Sequence, residues 1–600
     1  MFQTFETSSD PTKGAARLER LRAEMAADGL DGFFVPRADA YQGEYVADCD
    51  ARLAWLTGFT GSAGFCIALG DQAGVFVDGR YRNQVRGQVD LAAYTPVDWP
   101  EVKPGVWLAE RLDEGARVGF DPWLHTAGEI EAIEKALRGK GIELVQTDNL
   151  VDRIWEDRPA PPAEPIFDQP IEFAGKTTVE KLAAVVETLK SKGQQAAVLS
   201  APDSICWLLN IRGADIPRVP VMQAFAIVTD EGRCLVFTEP TRPLDGIAPF
   251  GDEVAFTDIA EFAEALCDLI GPVRVDKATA PIAVSRILDA EGIAVDWGQD
   301  PCALPKARKN PAELEGARAA HLRDAAALVE FLTWYDATAP LGGLTEIDLV
   351  TELETQRRAS NELRDISFDT ICGSGPNGAV MHYRVTRESN RTLETGDLVV
   401  LDSGAQYVDG TTDITRTLPV GDVGDDERAA FTRVLKGMIA ISRARFPRGV
   451  AGAHLDALAR YPLWLAHQDF NHGTGHGVGS YLSVHEGPQR LSRVSDVPFE
   501  PGMILSNEPG YYRDGAFGIR IENLIAVTEA QPLPGGDDRD FLAFETLTFV
   551  PIDRRLILTD MLDAGERAWL DAYHKTCLEK LSGRVSAPAH LWLTKACAPL

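Results

Sequence analysis

The 600-residue sequence contains no long apolar run, no closely spaced cysteine pair and no excess of basic residues. No uncharged apolar stretch approaches the ~18 residues that a membrane-spanning helix needs, so we expect no membrane partner. Residues 1–6 lack the basic and then apolar regions of a secretory signal. Together these absences favour a cytoplasmic protein.

The nine cysteines lie scattered between Cys49 and Cys597 without a CxxC pair. An odd, unclustered set indicates reduced thiols and neither a disulfide framework nor a structural zinc site. The 59 basic residues against 90 acidic ones give a formal net charge of −31. Because nucleic-acid phosphates attract Lys and Arg, this charge argues against a nucleic-acid partner. We interpret the acidity as a source of solubility.

The length exceeds what one hydrophobic core can organise, so two to four domains are expected. In the first part of the chain, helix and strand patterns alternate as in α/β domains. Four prolines within residues 155–165 predict a stiff linker. A second connector, residues 306–313, leads into a long helix that Asn310, Pro311 and Glu313 would cap and that should end near Tyr335. The predicted domains are therefore residues 1–158, 159–305 and 306–600.

A weak internal repeat links the first two predicted domains. Residues 54–61 (AWLTGFTG) align with residues 206–213 (CWLLNIRG), and each stretch lies between strand-like runs. A shared Trp-Leu and a following glycine can also arise by coincidence. The structural interpretation is a tandem of two related α/β domains.

Carboxylates follow apolar strands at several points in the last third of the chain. Residues 397–402 predict a buried strand ending at Asp402, and residues 411–417 predict the returning strand of a hairpin. On that strand Thr411, Asp413 and Thr415 would share one face. The hairpin could then direct Asp402 and Asp413 at one point, where two carboxylates repel unless a cation lies between them.

Two further apolar strands deliver Glu508 and Glu522, and a glycine-rich segment, residues 472–479, carries His472 and His476. Glycine permits positive φ and close approach, so the segment suggests a ligand passing near the backbone. A single strand-end acid is more often hydrated or paired with a base. Four such acids with His476 form an oxygen-rich set without sulfur, which suits Mn²⁺, or less selectively Co²⁺ and Zn²⁺, better than a structural zinc site. Four carboxylates neutralise two divalent ions, and paired metals ~3.5–4 Å apart are typical of hydrolases.

These residues resemble the ligand set of the pita-bread metallopeptidases. The resemblance is carried by DSGAQYVDGTTDITRT with Asp402 and Asp413, HGTGHGVG with His476, SNEPG with Glu508 and GIRIEN with Glu522. It implies two metal ions, usually manganese in the proline-specific branch. Asp413 and Glu522 would bridge the ions, Asp402 would bind one, and His476 with Glu508 would bind the other.

Within this family the chain is most similar to the long form of the Xaa-Pro aminopeptidases, the aminopeptidase P branch. Residues 207–213 and residues 373–379 with His382 resemble stretches of that form. The resemblance implies an α/β and α+β multidomain fold, with two creatinase-like N-terminal domains followed by a pita-bread catalytic domain. It also implies a homodimer formed through the N-terminal domains. The implied activity is a metal-dependent exopeptidase that hydrolyses the N-terminal Xaa-Pro bond of peptides, with a metal-bridging hydroxide as nucleophile.

The resemblance further implies catalytic roles. Glu508 would act as a base as well as a ligand, and His485 would donate to the developing oxyanion. His382 and His472 would orient the substrate or relay a proton to the imino nitrogen. Arg520 would support a bridging carboxylate or contact substrate, and we favour the first. Packing or surface roles are expected for the remaining histidines: His125, His321, His454, His467, His574 and His590.

Other functions fit parts of the pattern. A prolidase-like dipeptidase uses the same metals but usually one N-terminal domain, creatinase keeps the fold without metals, and inactive peptide-binding relatives lose ligands. Residues 373–378 also satisfy the GxGxxG dinucleotide pattern, which requires a following helix. Since residues 379–383 look extended, we interpret this segment as a substrate-pocket loop.

Overall fold

The computed structural model describes residues 1–600 and divides into two compact units. The N-terminal unit comprises Ser8–Ile171 and Lys176–Leu304, and the C-terminal unit comprises Met1–Thr7, Glu172–Gly175 and Pro305–Leu600. The domain boundaries given above, after residues 158 and 305, stay predictions. None of the helices combines the length and the apolar composition required to cross a membrane.

The first part of the N-terminal unit is a six-stranded mixed sheet with helices on its faces. Its strands are β1 Gly32–Pro36, β2 Phe65–Leu69, β3 Ala73–Val77, β4 Thr95–Asp98, β5 Arg117–Phe120 and β6 Glu143–Gln146. Its helices are α1 Gly14–Ala27, α2 Arg52–Thr57, α3 Arg82–Gln88, α4 Pro104–Ala109, α5 Ala127–Leu137 and α6 Leu150–Ile154. The strand order is β4-β3-β2-β1-β5-β6, and a hydrophobic core covers each face of the sheet.

A second six-stranded sheet follows the proline-rich linker. The strands of this part are β7 Phe167–Asp168, β8 Ala196–Leu199, β9 Ile211–Arg212, β10 Phe225–Thr229, β11 Cys234–Thr238, β12 Val254–Asp258, β13 Val273–Val275 and β14 Val295–Trp297. The helices are α7 Ile171–Ala174, α8 Thr178–Lys192, α9 Pro202–Leu209, α10 Phe262–Cys267, α11 Ile282–Ala290 and α12 Ala303–Ala307. The sheet order is β12-β11-β10-β8-β13-β14.

The two sheets have the same topology. In each, the first strand pairs antiparallel with the second and parallel with the fifth, and the third pairs parallel with the fourth. The repeated sequence segments fall on α2 and α9, which follow the first strand of each sheet and end at left-handed residues, Gly58 (φ 88°) and Asn210 (φ 53°). The predicted tandem of related α/β domains is confirmed.

The C-terminal unit surrounds four antiparallel β-structures with long helices. Its helices are α13 Pro311–Thr338, α14 Glu346–Arg358, α15 Asp425–Ser442, α16 Gly452–Trp464, α17 Ala564–Leu581 and α18 Ala587–Ala596. Its strands are β15 Asp365–Ile366, β16 Ile371–Ser374, β17 Leu398–Ser403, β18 Ala405–Tyr407, β19 Gly410–Thr411, β20 Ile414–Pro419, β21 Arg445–Pro447, β22 Gly475–Gly477, β23 Glu486–Leu491, β24 Ile504–Asn507, β25 Gly510–Arg513, β26 Phe517–Arg520, β27 Asn523–Glu529 and β28 Phe541–Thr546. As predicted, Asn310, Pro311 and Glu313 cap α13.

Two local predictions in this unit are wrong. The returning strand does not run from Thr411, because Thr411 belongs to β19 and pairs with β18, while β20 begins only at Ile414. The tip of the hairpin therefore forms a small sheet of its own, β15-β18-β19. The segment before His382 is also not extended, since Gly375–Ala379 forms a 3₁₀ helix and a turn follows.

Candidate metal centre

The hairpin β17-β20 places the first two predicted acids. Strand β17 is buried along its whole length, and Asp402 near its end lies opposite Thr415 of β20. Asp413 comes directly before the first residue of β20. Both carboxylates are removed from solvent, with Asp402 7% and Asp413 4% exposed. A charge in such a place is costly unless a partner compensates it.

A second pair of neighbouring strands places the two glutamates. Strands β24 and β27 are antiparallel, with Asn507 directly opposite Asn523. Glu508 follows the first of these asparagines and Glu522 precedes the second, so both glutamates lie at the same end of the strand pair. Glu522 is buried and its Oε2 accepts the hydroxyl of Thr415 at 2.8 Å. That hydrogen bond joins this strand pair to the hairpin.

His476 lies in β22, between β23 and β24. Its Nδ1 is 2.9 Å from the carbonyl oxygen of Gly477. A carbonyl only accepts, so Nδ1 carries a hydrogen and Nε2 is the nitrogen available to bind a metal ion. Nε2 lies 3.4 Å from Oδ2 of Asp413 and 3.5 Å from Oε1 of Glu508. An imidazole fixed through one nitrogen by a backbone carbonyl, with the other nitrogen facing acids, has the usual arrangement of a metal ligand.

The glycines around His476 serve strand packing. None of the four glycines in residues 472–479 has positive φ, contrary to the conformational role expected for them. A Cβ on Gly475 would lie 1.9 Å from the carbonyl oxygen of Ser506, and one on Gly477 would lie 2.3 Å from that of Glu486. Side chains at these positions would push β22 away from its neighbours, so glycine is required to bring His476 to the acids.

The donor set fits a divalent cation. One ligand atom each from Asp413, His476 and Glu522 can be chosen so that all lie within 4.8 Å of one another. Burial raises the pKa of Asp413 and Glu522 well above the ordinary carboxyl range, and the neighbouring carboxylates raise it further. Oδ1 of Asp402, Oδ1 of Asp413 and Oε1 of Glu522 are buried without a hydrogen-bond partner. Native proteins rarely leave buried acceptors unsatisfied, and a bound cation would satisfy all three.

Arg520 contacts one of the predicted terminal ligands and neither of the predicted bridging acids. Its Nη2 and Nε donate to Oδ2 of Asp402 at 2.5 and 3.1 Å. Its Nη1 donates to the hydroxyl of Tyr512 at 2.5 Å, and that oxygen lies 2.9 Å from Nε2 of His472. Because a carbonyl only accepts, Nδ1 of His472 donates to the carbonyl oxygen of Gly473 at 2.7 Å, which leaves Nε2 for the Tyr512 hydroxyl. A hydrogen-bonded chain thus runs from Asp402 to His472.

Of the other two predicted histidines, His485 contacts a proposed ligand, and His382 follows a segment packed against β26. The ring of His485 meets that of His476 edge to face, with centroids 4.2 Å apart. His382 follows the 3₁₀ helix Gly375–Ala379, which packs against β26, the strand that ends at Arg520. A Cβ on Gly518 of β26 would lie 1.7 Å from the carbonyl oxygen of Gly378, which shows how close this packing is.

Sequence reasoning missed three supporting side chains. Thr415 binds Glu522, Tyr512 binds His472 and Arg520, and the hydroxyl of Ser506 donates to Oε1 of Glu508 at 3.1 Å. Thr415 had a usable signal, because it was predicted to share a face with Asp413. Ser506 precedes Glu508 by two residues and therefore lies on the same side of the strand. Tyr512 had no comparable signal.

Four family models match the chain. The Creatinase/Prolidase N-terminal domain matches residues 17–154 and, in a second form, residues 157–313. Metallopeptidase family M24 matches residues 315–529, and the C-terminal region of peptidase M24 matches residues 540–600. The fold predicted from the sequence, with two creatinase-like domains before a pita-bread domain, is confirmed.

Individual relatives cover nearly the whole chain. A probable Xaa-Pro aminopeptidase P of Paracoccidioides brasiliensis is 39% identical over 97% of this chain and 99% of its own length. A probable Xaa-Pro aminopeptidase P of Neosartorya fischeri is 40% identical over 94% of this chain and 89% of its own length. The crystal structure of an X-prolyl aminopeptidase from Caenorhabditis elegans, described as a cytosolic enzyme with a di-nuclear active site, is 33% identical, covers 98% of this chain and 100% of its own, and has a TM-score of 0.93. The chain belongs to metallopeptidase family M24, in its Xaa-Pro aminopeptidase P branch.

Proposed function

We propose that this chain is a metal-dependent exopeptidase that releases the first residue from peptides with proline at the second position. In this proposal Asp402, Asp413, His476, Glu508 and Glu522 hold two divalent ions, preferably Mn²⁺, with Co²⁺ and Zn²⁺ as alternatives. One observation carries it. Asp402, Asp413 and Glu522 each have a buried carboxylate oxygen without a hydrogen-bond partner, and Nε2 of His476 faces Asp413. The C. elegans structure with its di-nuclear active site supports the number of ions.

Two divalent ions bound here would lower the pKa of a coordinated water and polarise the scissile carbonyl. The residues of the chain supply the proton transfers and the orientation. Glu508 is half-buried beside His476 and Ser506, so its free carboxylate oxygen can take a proton from water. The ring contact of His485 with His476 supports assigning to His485 the donation to the carbonyl oxygen as negative charge develops there.

His472 and His382 receive separate roles. Both ring nitrogens of His472 are engaged, one by Gly473 and the other by Tyr512, so we assign it to orienting the peptide. His382 lies on the turn after Gly375–Ala379, and we assign it the proton for the imino nitrogen that leaves with proline. Arg520 holds Asp402 in place and has no role in proton transfer.

Metal analysis combined with a panel of peptides tests this function. The purified protein should bind about two Mn²⁺ and release arginine from Arg-Pro-Pro, and a chelator should abolish the activity. The prolidase-like alternative predicts faster cleavage of Xaa-Pro dipeptides than of the tripeptide. Undiminished activity in chelator, or binding of no Mn²⁺, would overturn the proposal.

We also propose a cytoplasmic homodimer. The nine cysteines form no disulfide bond, which suits a reducing compartment, and the C. elegans enzyme is described as cytosolic. Helix α16 and the residue that follows it expose four large apolar side chains in the C-terminal unit: Leu458, Tyr461, Trp464 and Leu465. Exposed apolar patches mark interaction surfaces, so this surface is a second candidate for the interface beside the N-terminal domains. Light scattering should give about twice the chain mass of 65.3 kDa.

A further inference from the structure

A buried ion pair lies beneath the hairpin that carries Asp402 and Asp413. Asp324 of α13 accepts two parallel hydrogen bonds from Arg357 of α14, at 2.8 and 3.0 Å. Asp324 is 3% exposed and Arg357 is 0% exposed. Desolvating two such charges costs several kcal/mol, so a fully buried pair contributes little net stability. The other hydrogen bonds of the pair indicate what it holds in position.

The remaining contacts of Arg357 go to the residues that follow Asp402. Its Nη2 donates to the hydroxyl of Ser403 at 3.1 Å, and its Nη1 donates to the carbonyl oxygen of Gly404 at 3.3 Å. Gly404 is closely packed and no larger residue fits in its place, because a Cβ there would lie 2.0 Å from the hydroxyl of Ser367. The guanidinium thus fixes the chain immediately after the first metal-ligand candidate.

The remaining contacts of Asp324 go to the other end of the same loop. Its Oδ2 accepts the hydroxyl of Thr412, the residue before Asp413, at 3.0 Å. Its Oδ1 accepts the hydroxyl of Tyr407 at 2.9 Å. Burial and the charge of Asp324 raise the pKa of Tyr407, which keeps that phenol a hydrogen-bond donor. The carboxylate thus fixes the chain immediately before the second candidate.

The two ends of the loop are also joined directly. The backbone N–H groups of Ala405 and Thr412 donate across the loop, at 3.0 Å to the Thr412 hydroxyl and at 2.9 Å to the Ala405 carbonyl. Ser367 donates its hydroxyl to the carbonyl oxygen of Thr412 at 2.9 Å. These contacts leave the segment from Ser403 to Thr412 one arrangement relative to α13 and α14.

We infer that Asp324 and Arg357 are positioning residues that set the separation of the Asp402 and Asp413 carboxylates, and through it the affinity for a pair of divalent ions. The inference rests on the proposed function, since it assigns the hairpin acids to a metal site. Neither residue contacts substrate or a metal ligand directly. Their effect passes through Ser403 and Thr412, the immediate neighbours of the two aspartates.

The test measures Mn²⁺ binding to the full-length, chelator-stripped protein by calorimetry. Arg357→Lys keeps the positive charge but loses the planar fork that reaches Ser403 and Gly404. Ser403→Ala removes a single hydroxyl beside Asp402. We expect each variant to weaken at least one of the two sites about 10- to 100-fold, as for other residues that support metal ligands. The electron paramagnetic resonance signal of a coupled manganese pair should fall at stoichiometric metal.

Asp409→Asn is the matched control. Asp409 lies at the tip of the same loop and pairs with Arg323, the neighbour of Asp324 on α13, at 2.9 and 3.0 Å. It contacts neither Ser403 nor Thr412, so its variant should bind Mn²⁺ like the wild type. Excess Mn²⁺ should partly restore kcat/KM in Ser403→Ala, which a general folding defect would not allow.

The inference fails if Ser403→Ala and folded Arg357→Lys both show the wild-type isotherm, or if Asp409→Asn weakens binding equally. Circular dichroism identifies an Arg357→Lys protein that does not fold, and Ser403→Ala then decides the question. A wild-type protein that binds no Mn²⁺ would instead refute the proposed function. The two failures are therefore distinguishable.

Discussion

Two kinds of buried carboxylate occur within the C-terminal unit. Asp456, 1% exposed, is bound by Arg460 at 2.6 and 3.2 Å and accepts the hydroxyl of Thr474 at 2.7 Å. Asp413 and Glu522 are buried to a similar degree, but each keeps one oxygen without any hydrogen-bond donor. Burial alone therefore does not identify a metal site. Asp413 and Glu522 have no Lys or Arg side chain bound to them, whereas Asp402 combines an Arg520 pair with one oxygen that has no partner.

The Asp456–Arg460 pair also orders the segment that precedes His476. Arg460 donates to the carbonyl oxygens of Phe470 and His472, each at 2.7 Å. With the Thr474 hydroxyl on Asp456, these bonds hold both sides of the loop that leads into His476. One class of acid therefore organises the backbone, and the other is left free to bind a cation.

The largest effect should follow from changing an unpaired acid. Glu522→Gln keeps the shape of the side chain but removes its negative charge. No other group of the protein can supply that charge to the metal ions. We expect kcat/KM on Arg-Pro-Pro to fall about 10³-fold or more, a typical loss of transition-state stabilisation. Steady-state assays with excess Mn²⁺ provide the check. Recovery of wild-type activity at high metal would show that this carboxylate is dispensable.

Breaking the paired acid should instead damage folding. Arg460→Gln leaves the buried Asp456 charge with the Thr474 hydroxyl and the more distant Arg493, whose Nε lies 3.9 Å from its Oδ2. Removing one partner of a buried ion pair costs about 3–5 kcal/mol. Denaturant unfolding of the metal-free protein measures this loss. Asp413→Asn under the same conditions should have the opposite sign, because it relieves repulsion among unpaired carboxylates. A destabilised Asp413→Asn protein would remove the distinction between the two classes.

The smallest effect concerns a buried group that lacks a partner but is neutral. Burial lowers the pKa of His125 to about 4, and its Nε2 has no hydrogen-bond partner. In the unfolded chain His125 is protonated below about pH 6.5, whereas in the folded protein it is protonated only below about pH 4. This residue therefore makes stability fall as pH drops through that window, by about 3 kcal/mol in total.

Replacing this imidazole isolates its share of the pH dependence. His125→Phe packs against the edges of Phe34 and Phe120, whose ring centroids lie 5.7 Å from that of His125. Denaturant unfolding of wild type and variant at pH 6.5 and 4.5, in chelator, should show a smaller acid loss for the variant. Equal losses would mean that His125 is not neutral in the folded protein.

The sequence determined the parts of the structure that depend on near neighbours. The caps of α13 and the strand that ends at Asp402 follow from residues only a few positions apart. The repeat at Trp55 and Trp207 correctly indicated two related domains, because the same local pattern precedes the same strand in each sheet. The types of the five proposed metal ligands were also readable, since apolar strands delivering acids are unusual.

Only the tertiary structure decided how these parts meet. The Arg520–Asp402 and Thr415–Glu522 contacts join residues 118 and 107 positions apart, and the Asp324–Arg357 pair joins two helices to the hairpin. The tertiary structure also shows that β20 begins at Ile414 and not at Thr411, and that Gly475 packs against Ser506. Such contacts depend on how strands and helices pack, which residue spacing along the chain does not encode. The sequence therefore indicates which residues could bind metal, whereas the packing determines which buried charges remain without a partner.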